Sequence, residues 1–104
     1  MEIQLFDDAI EQFIRSLEKP IIAKTLRVID LLEGFGSKLG MPHSKKVEKN
    51  LFELRVCSIQ EIRIFYTFHK NFVVLLHGFI KKSQRIPKRE LNVALQKLKA
   101  LDSI

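Results

Sequence analysis

Lysine and arginine are the residues of this chain best placed to do chemistry. Five cations, Lys81, Lys82, Arg85, Lys88 and Arg89, fall within nine positions with no acid among them. They come directly after the apolar run Leu75, Leu76, His77, Gly78, Phe79 and Ile80. A strand over residues 72–80 would hold that cluster on a rigid base, a better arrangement for recognising phosphate than a floppy basic tail. Two more arginines lie in earlier segments of period two. Across residues 61–68, Arg63, Phe65 and Thr67 share one face, and Ile62, Ile64, Tyr66 and Phe68 share the other. The second set marks the core, which turns Arg63 to an open side. Across residues 51–56, Phe52, Leu54 and Val56 are core-like while Glu53 and Arg55 alternate outward. The two arginines would then share one concave surface. The competing expectation is a cross-strand ion pair between Arg63 and Glu53, which contributes little when exposed.

Such a toolkit binds phosphates and stabilises a pentacoordinate phosphorane, but it does not readily supply a general base near neutral pH. Lys81 and Lys82 are adjacent, so at most one points along the sheet face; both could instead be edge charges that discourage pairing. Arg85, Lys88 and Arg89, with Lys45 and Lys46 of an earlier basic stretch, extend the set that could track a nucleic-acid backbone. His77, inside an apolar strand, reads first as a packed, hydrogen-bonded residue and only second as an acid or base. His43 has no partner in view. Tyr66 has core parity and needs a partner for its hydroxyl. Cys57, at a strand end, reads as structural. There is no CxxC or histidine cluster with metal spacing, no glycine-rich phosphate loop and no GxSxG elbow. No metal or other cofactor is expected. A paired-carboxylate site would have to come from Glu53 and Glu61, and nothing else favours it.

The elements that must position these residues are legible from periodicity. Asp7 or Asp8 can cap a first helix bearing Ile10, Phe13, Ile14 and Leu17. Pro20 suits the first turn of a second helix, whose predicted apolar stripe is Ala23, Leu26, Ile29, Leu32 and Phe35, stopped by Gly34 and Gly36. So short a joint predicts an antiparallel helix hairpin. A short strand over residues 1–6 is a weaker signal. Residues 37–50 read as a loop or a short edge strand. Residues 51–56, 61–68 and 72–80 then form an antiparallel meander, with His69, Lys70 and Asn71 as a tight turn. From Pro87 a last helix carries Leu91, Ala94, Leu95, Leu98 and Leu101 on one face. The expected class is α+β: helix hairpin, antiparallel sheet of three to four strands, C-terminal helix. Helices gathered on one face of the sheet would leave the other open.

Composition agrees with one small domain over the 104 residues, 46% apolar and 29% charged. No apolar run reaches the ~18 residues of a membrane helix. The first residues lack the pattern of a signal peptide, and one cysteine fits a reducing cytosol, so a cytoplasmic protein with no membrane role is expected. The net charge of +6 is segregated: residues 1–40 hold five Lys/Arg against seven Asp/Glu, and residues 41–104 hold thirteen against five. The first part reads as scaffold and the second as the surface that meets a polyanion.

Several segments together carry a family resemblance. Leu51-Phe52-Glu53-Leu54-Arg55, Ile62-Arg63-Ile64-Phe65-Tyr66, Leu75 through Gln84 and the helix from Pro87 resemble the RelE/ParE superfamily of bacterial toxins, closest to its HigB-type, phage-derived branch. The resemblance spans essentially the whole chain. It implies a ribosome-dependent endonuclease that cuts messenger RNA in the A site, the ribose 2′-OH attacking the adjacent phosphate to leave a 2′,3′-cyclic end. By this resemblance Arg63 holds the scissile phosphate, Arg55 is the second strand arginine, and Lys81 or Lys82 stabilises the developing charge. It also implies a cognate antitoxin, HigA-like with a helix-turn-helix domain. Some members place a tyrosine or histidine near the C-terminus as acid or base. Here neither residue type occurs after His77, so His77 or a lysine would take that role, or the site would work by electrostatics and positioning. ParE-like members share the fold but inhibit gyrase without cutting RNA, and a prophage remnant could keep only antitoxin binding.

Overall fold

A computed structural model describes residues 1–103. Its elements begin and end where the local chemistry requires. After a short strand, β1 (Glu2–Leu5), the Asp7 carboxylate accepts the Ile10 N–H at 3.2 Å and starts α1 (Asp8–Arg15). Pro20 sits in the first turn of α2 (Lys19–Phe35), and Gly36 ends that helix at φ 56°, a left-handed backbone that glycine adopts without strain. A short 3-10 turn (Gly36–Lys38) leads to β2 (Ser44–Glu48), β3 (Leu51–Cys57), β4 (Glu61–His69), β5 (Phe72–Lys81) and α3 (Lys88–Asp102). Lys70 and Asn71, both at positive φ, make the expected tight turn between β4 and β5.

The sheet has five strands in the order β1-β5-β4-β3-β2, and it is mixed: β1 runs parallel to β5, with Ile3 opposite Val73, while the other neighbours are antiparallel. The expected antiparallel meander is flanked by two short edge strands: the signal over residues 1–6 is β1, and the edge-strand reading of residues 37–50 holds at β2. What the sequence does not reveal is that β1 pairs in parallel, which makes the sheet mixed and five-stranded. The expected helix hairpin is also loosened. α1 and α2 are joined closely, but each spends its apolar face on the sheet, α1 on β5 and α2 on β3.

The helices do not gather on one face. α1 and α2 cover one side, burying Ile10, Ile14, Leu17, Ile21, Val28 and Leu32 against Leu54, Val56, Ile62, Ile64, Tyr66 and Val73. α3 crosses to the other side, where Ala94, Leu98 and Leu101 pack on Leu51, Phe65, Val74 and Leu76. The side expected to be open is half covered, which explains why β4 and β5 are apolar on both faces. The predicted stripe of α2 is rotated as well. Its buried residues are Ile21, Thr25, Val28 and Leu32, while Ala23, Leu26 and Phe35 are exposed. Thr25 is the hidden member: its hydroxyl donates to the Ile21 carbonyl at 2.8 Å, so it enters the core with its polar group satisfied.

β5 is irregular at one point. Phe65 lies opposite His77 and Tyr66 opposite Leu75, so Leu76 is an extra residue on β5, a β-bulge. Strict alternation would put Leu76 and His77 on opposite faces; the bulge puts both on the α3 side. Gly78 then faces α1, where a Cβ would come within 2.5 Å of the Phe13 ring. The glycine is what lets α1 lie on β5.

Substitutions at Gly78 and Tyr66 probe this packing. Gly78→Ala should destabilise the fold by about 1–3 kcal/mol through overpacking, read as a lowered unfolding midpoint in denaturant; an unchanged midpoint would show that α1 can lift at no cost. Tyr66 is buried, and burial raises its phenol above the ordinary value, an effect only partly offset by its hydrogen bond with the Ser44 hydroxyl. The folded state thus holds the proton more tightly. Tyr66 contributes stability that is complete below the ordinary tyrosine value of about 10 and is lost as pH rises through the folded-state value. Tyr66→Phe should blunt that alkaline loss. Because Tyr66 is the one tyrosine in the chain, tyrosinate absorbance tracks it directly.

Candidate nucleic-acid interface

β3 and β4 bring Arg55 and Arg63 face to face as register partners, on the side the sequence pattern indicates. Two like charges at such a position repel unless something lies between them. Here it is Glu53: its Oε1 is 3.7 Å from the Arg55 Nε and 3.9 Å from the Arg63 Nε. Arg63 also donates from Nη2 to Glu61 at 3.3 Å and from Nη1 to the Ile62 carbonyl at 3.1 Å. The cluster is interior, with Arg63 2% and Glu53 5% exposed. The expectation that Arg63 points to an open surface is corrected: the face is right, but the side chain is enclosed, with Glu53, Glu61 and its register partner Phe79 as neighbours. The competing expectation of a pair with Glu53 holds, but as an interior pair rather than an exposed one. Arg55 is half-buried, its Nη1 3.6 Å from the Met41 Sδ. It lines a depression of about 240 Å³ with Lys24, Pro42, His43 and Cys57. Cys57 is exposed there, not part of the core. Three atoms, Glu53 Oε2, Arg55 Nε and Arg63 Nε, are buried without a hydrogen-bond partner among the described residues.

The cations that reach solvent lie where β5 runs out. Lys81 is half-buried in the last position of the strand, opposite Glu61 in register. Lys82, Arg85, Lys88 and Arg89 are all exposed. Ser83 donates to the Arg85 carbonyl at 2.9 Å and tightens the loop that carries them. Arg89 lies 3.7 Å from Glu90, an exposed contact of small energetic value. Lys45 is opposite Glu53 in register and extends the same face across the β2 edge, whereas Lys46, opposite Phe52, belongs to the other face. Of the sequence candidates, Lys81, Lys82, Arg85, Lys88 and Arg89 are thus brought together, with Lys45 at the far edge; Arg63 is enclosed and Lys46 turns away.

One group on this face gives little signal in the sequence. The bulge delivers His77 to the α3 side, where its Nε2 lies 2.7 Å from Glu90 Oε1 in the first turn of α3. Its ring stacks on Phe79 at 6.4 Å. Strand parity cannot find it, because a regular strand would aim His77 at α1. Beside it Lys97 donates to the Leu76 carbonyl at 3.1 Å and pairs with Asp7 at 3.0 Å. On the opposite side of the molecule, Ile3, Leu5, Ile14, Ile22, Leu26 and Ile29 line an apolar groove of about 510 Å³. Leu26 is 49% exposed there. No described helix is long and apolar enough to cross a membrane.

The sequence profile of the family described as Phage derived protein Gp49-like matches residues 12–99. No curated protein matches the chain.

The burial of Arg63 sets an expectation for mutagenesis. Removing one partner of a buried ion pair leaves the other charge uncompensated, so Arg63→Ala should cost about 3–5 kcal/mol of stability. Lys81→Ala and Lys82→Ala should each stay within about 0.5 kcal/mol. Denaturant midpoints of the three variants test this; an Arg63→Ala protein as stable as its parent would mean that the cluster is solvated.

Proposed function

The chain belongs to the Gp49-like phage-derived family, and on that premise we propose that it is the toxin of a type II toxin–antitoxin module, a HigB-type, RelE-like endonuclease that cuts messenger RNA on the ribosome. The observation that carries the reading is the array of Lys81, Lys82, Arg85, Lys88 and Arg89, held at the end of a central strand and the start of α3. In this reading the ribose 2′-OH attacks the adjacent phosphate and expels the 5′-oxygen, with no metal or cofactor. Lys81 and Lys82 stabilise the charge that develops on the phosphorane. Arg85, Lys88, Arg89 and Lys45 track the backbone, and Lys46 adds charge at the β2 edge. Arg63, enclosed between Glu53 and Glu61, acts as the post on which Arg55 and the strand ends are set rather than as a direct phosphate ligand. The ribosome supplies part of the alignment, which is worth much of the barrier in a reaction limited by positioning.

The proposed partner is a cognate antitoxin, HigA-like with a helix-turn-helix domain, acting with its toxin in the cytoplasm. The apolar groove of Ile3, Leu5, Ile22 and Leu26 offers it more apolar area than the charged face does. It would then restrain the toxin by blocking ribosome access through bulk. One observation favours a second reading. Because Arg63 is enclosed beside two carboxylates, Glu53 and Glu61, the fold could act by binding alone, as a ParE-like inhibitor of gyrase.

In vitro translation with mapping of message ends separates the two. Cleavage should occur only on translated messages and leave 2′,3′-cyclic ends, and Lys81→Ala/Lys82→Ala should lower the rate by about 10²–10³. Ribosome binding by the wild type should weaken steeply with salt, with a shallower slope in the double variant. Intact messages together with inhibited supercoiling would select the gyrase reading.

A further inference from the structure

The proposed reaction needs a group that takes a proton from the 2′-OH near neutral pH, and none of the lysines or arginines of the cationic array is suited to that. We propose that His77 is that group and that Glu90 is its positioning residue; the inference rests on the endonuclease reading.

Three independent features meet at this pair. The first is the bulge at Leu76, which moves His77 from the α1 side to the face that carries the cations. Bulges of this kind commonly re-aim a side chain beside an active site. The second is the 2.7 Å contact between His77 Nε2 and Glu90 Oε1. A carboxylate there keeps the proton of the neutral ring on Nε2 and leaves the Nδ1 lone pair as the acceptor, the orienting role that a carboxylate plays toward histidine in hydrolytic triads. The third is access. His77 and Glu90 side chains are 19% and 18% exposed, against 2% for Arg63. No protein group among the described residues bonds Nδ1, and it is not among the buried unpartnered atoms. Of the three histidines, His77 alone is bonded to a carboxylate among the described residues.

The placement also fits the substrate path. His77, Phe79 and Lys81 lie on one face of β5 at alternate positions, so the backbones of His77 and Lys81 are about 13 Å apart along the strand. The long lysine side chains and the loop cations close part of that distance. Phe79 between them, stacked with His77 and with Phe65 at 5.6 Å, is an apolar floor. The charged group at the ring is Glu90 of α3; Arg89 lies beside that carboxylate, and Lys97 of α3 donates to the carbonyl of the neighbouring Leu76.

In the step itself His77 Nδ1 accepts the 2′-OH proton while the 2′-oxygen bonds to phosphorus. The bond from phosphorus to the 5′-oxygen breaks, and that oxygen takes a proton from water. The imidazolium then returns its proton to the hydroxide, leaving a 2′,3′-cyclic phosphate, a 5′-hydroxyl and the enzyme unchanged.

The test is single-turnover cleavage on programmed ribosomes by wild type, His77→Gln, His77→Ala and Glu90→Gln, with ribosome binding measured in parallel. His77→Gln should cleave about 10²–10⁴-fold more slowly at unchanged ribosome affinity. Added imidazole should restore part of the rate to His77→Ala and none to Lys81→Ala/Lys82→Ala. Glu90→Gln should lose a smaller factor, again in rate and not in binding. Wild-type cleavage matched by His77→Gln, or His77→Ala that imidazole does not help, overturns the assignment of His77. A wild type that leaves messages intact overturns the endonuclease reading itself, and the two failures are told apart by the wild-type lane. If the His77 variants do not fold, Glu90→Gln decides: an unchanged rate overturns the proposal, and a slowed rate at full binding supports it.

Discussion

The contact that organises the α3 side of the sheet is the sharing of one Glu53 oxygen by Arg55 and Arg63. Two guanidinium groups in register on adjacent strands would push those strands apart. With the carboxylate between them, the repulsion becomes a three-membered attraction in a region of low dielectric. Glu61 supplies the second negative charge and balances the set. Because the two arginines are neutralised internally, the positive charge at the end of β5 and the start of α3 comes from Lys81, Lys82, Arg85, Lys88 and Arg89. Fixing the strands and presenting positive charge to solvent are therefore tasks of different residues, even though all of them are basic. A buried pair of this type is weak evidence for stability. Its value is positional, since it sets the geometry of the strand ends from which the exposed cations project.

Much of this architecture is legible in the chain, and the exceptions share a cause. The three long strands, the tight turn between β4 and β5 and the C-terminal helix emerge from period and from turn chemistry. Parity alone puts Arg63 on the correct face. What parity cannot report is what lies on top of that face. The position of α3 depends on tertiary packing of Ala94, Leu98 and Leu101, and the same residues would suit either side of a sheet. Thr25 hides the true stripe of α2 because a hydroxyl suggests exposure, whereas this one is satisfied within its own helix turn. His77 escapes the alternation because a bulge inserts one residue and reverses the faces beyond it, with no change in composition to announce it. Glu90 has no legible link to His77 at all, since their contact spans a loop and a helix start.

The sheet also separates two surfaces of different character. The cations and His77 gather on one side, and the aliphatic groove of Ile3, Leu5, Ile14, Ile22 and Leu26 opens on the other. Charge along the chain shows the same division, acidic in the first forty residues and basic afterwards. A protein partner seated on the groove and a nucleic acid bound at the cations would not compete for the same atoms. Interference between them would come from size, not from shared contacts.

The parallel pairing of β1 with β5 has a consequence for how the chain reaches this state. Glu2 is matched with Phe72 and Leu5 with Leu75, so β1 has no place in the sheet until β5, far along the chain, is in position. Closing so long a loop carries an entropic cost that local helices and the meander do not bear, and non-local pairings of this kind slow folding. α3, which positions Glu90, comes later still. The helices and the meander can therefore form before β1 docks, and the cationic face gains its neighbours only once the long-range contacts are made. During that interval β5 is an uncovered edge and His77 has no carboxylate beside it, so the topology delays assembly of the full surface until the sheet has closed.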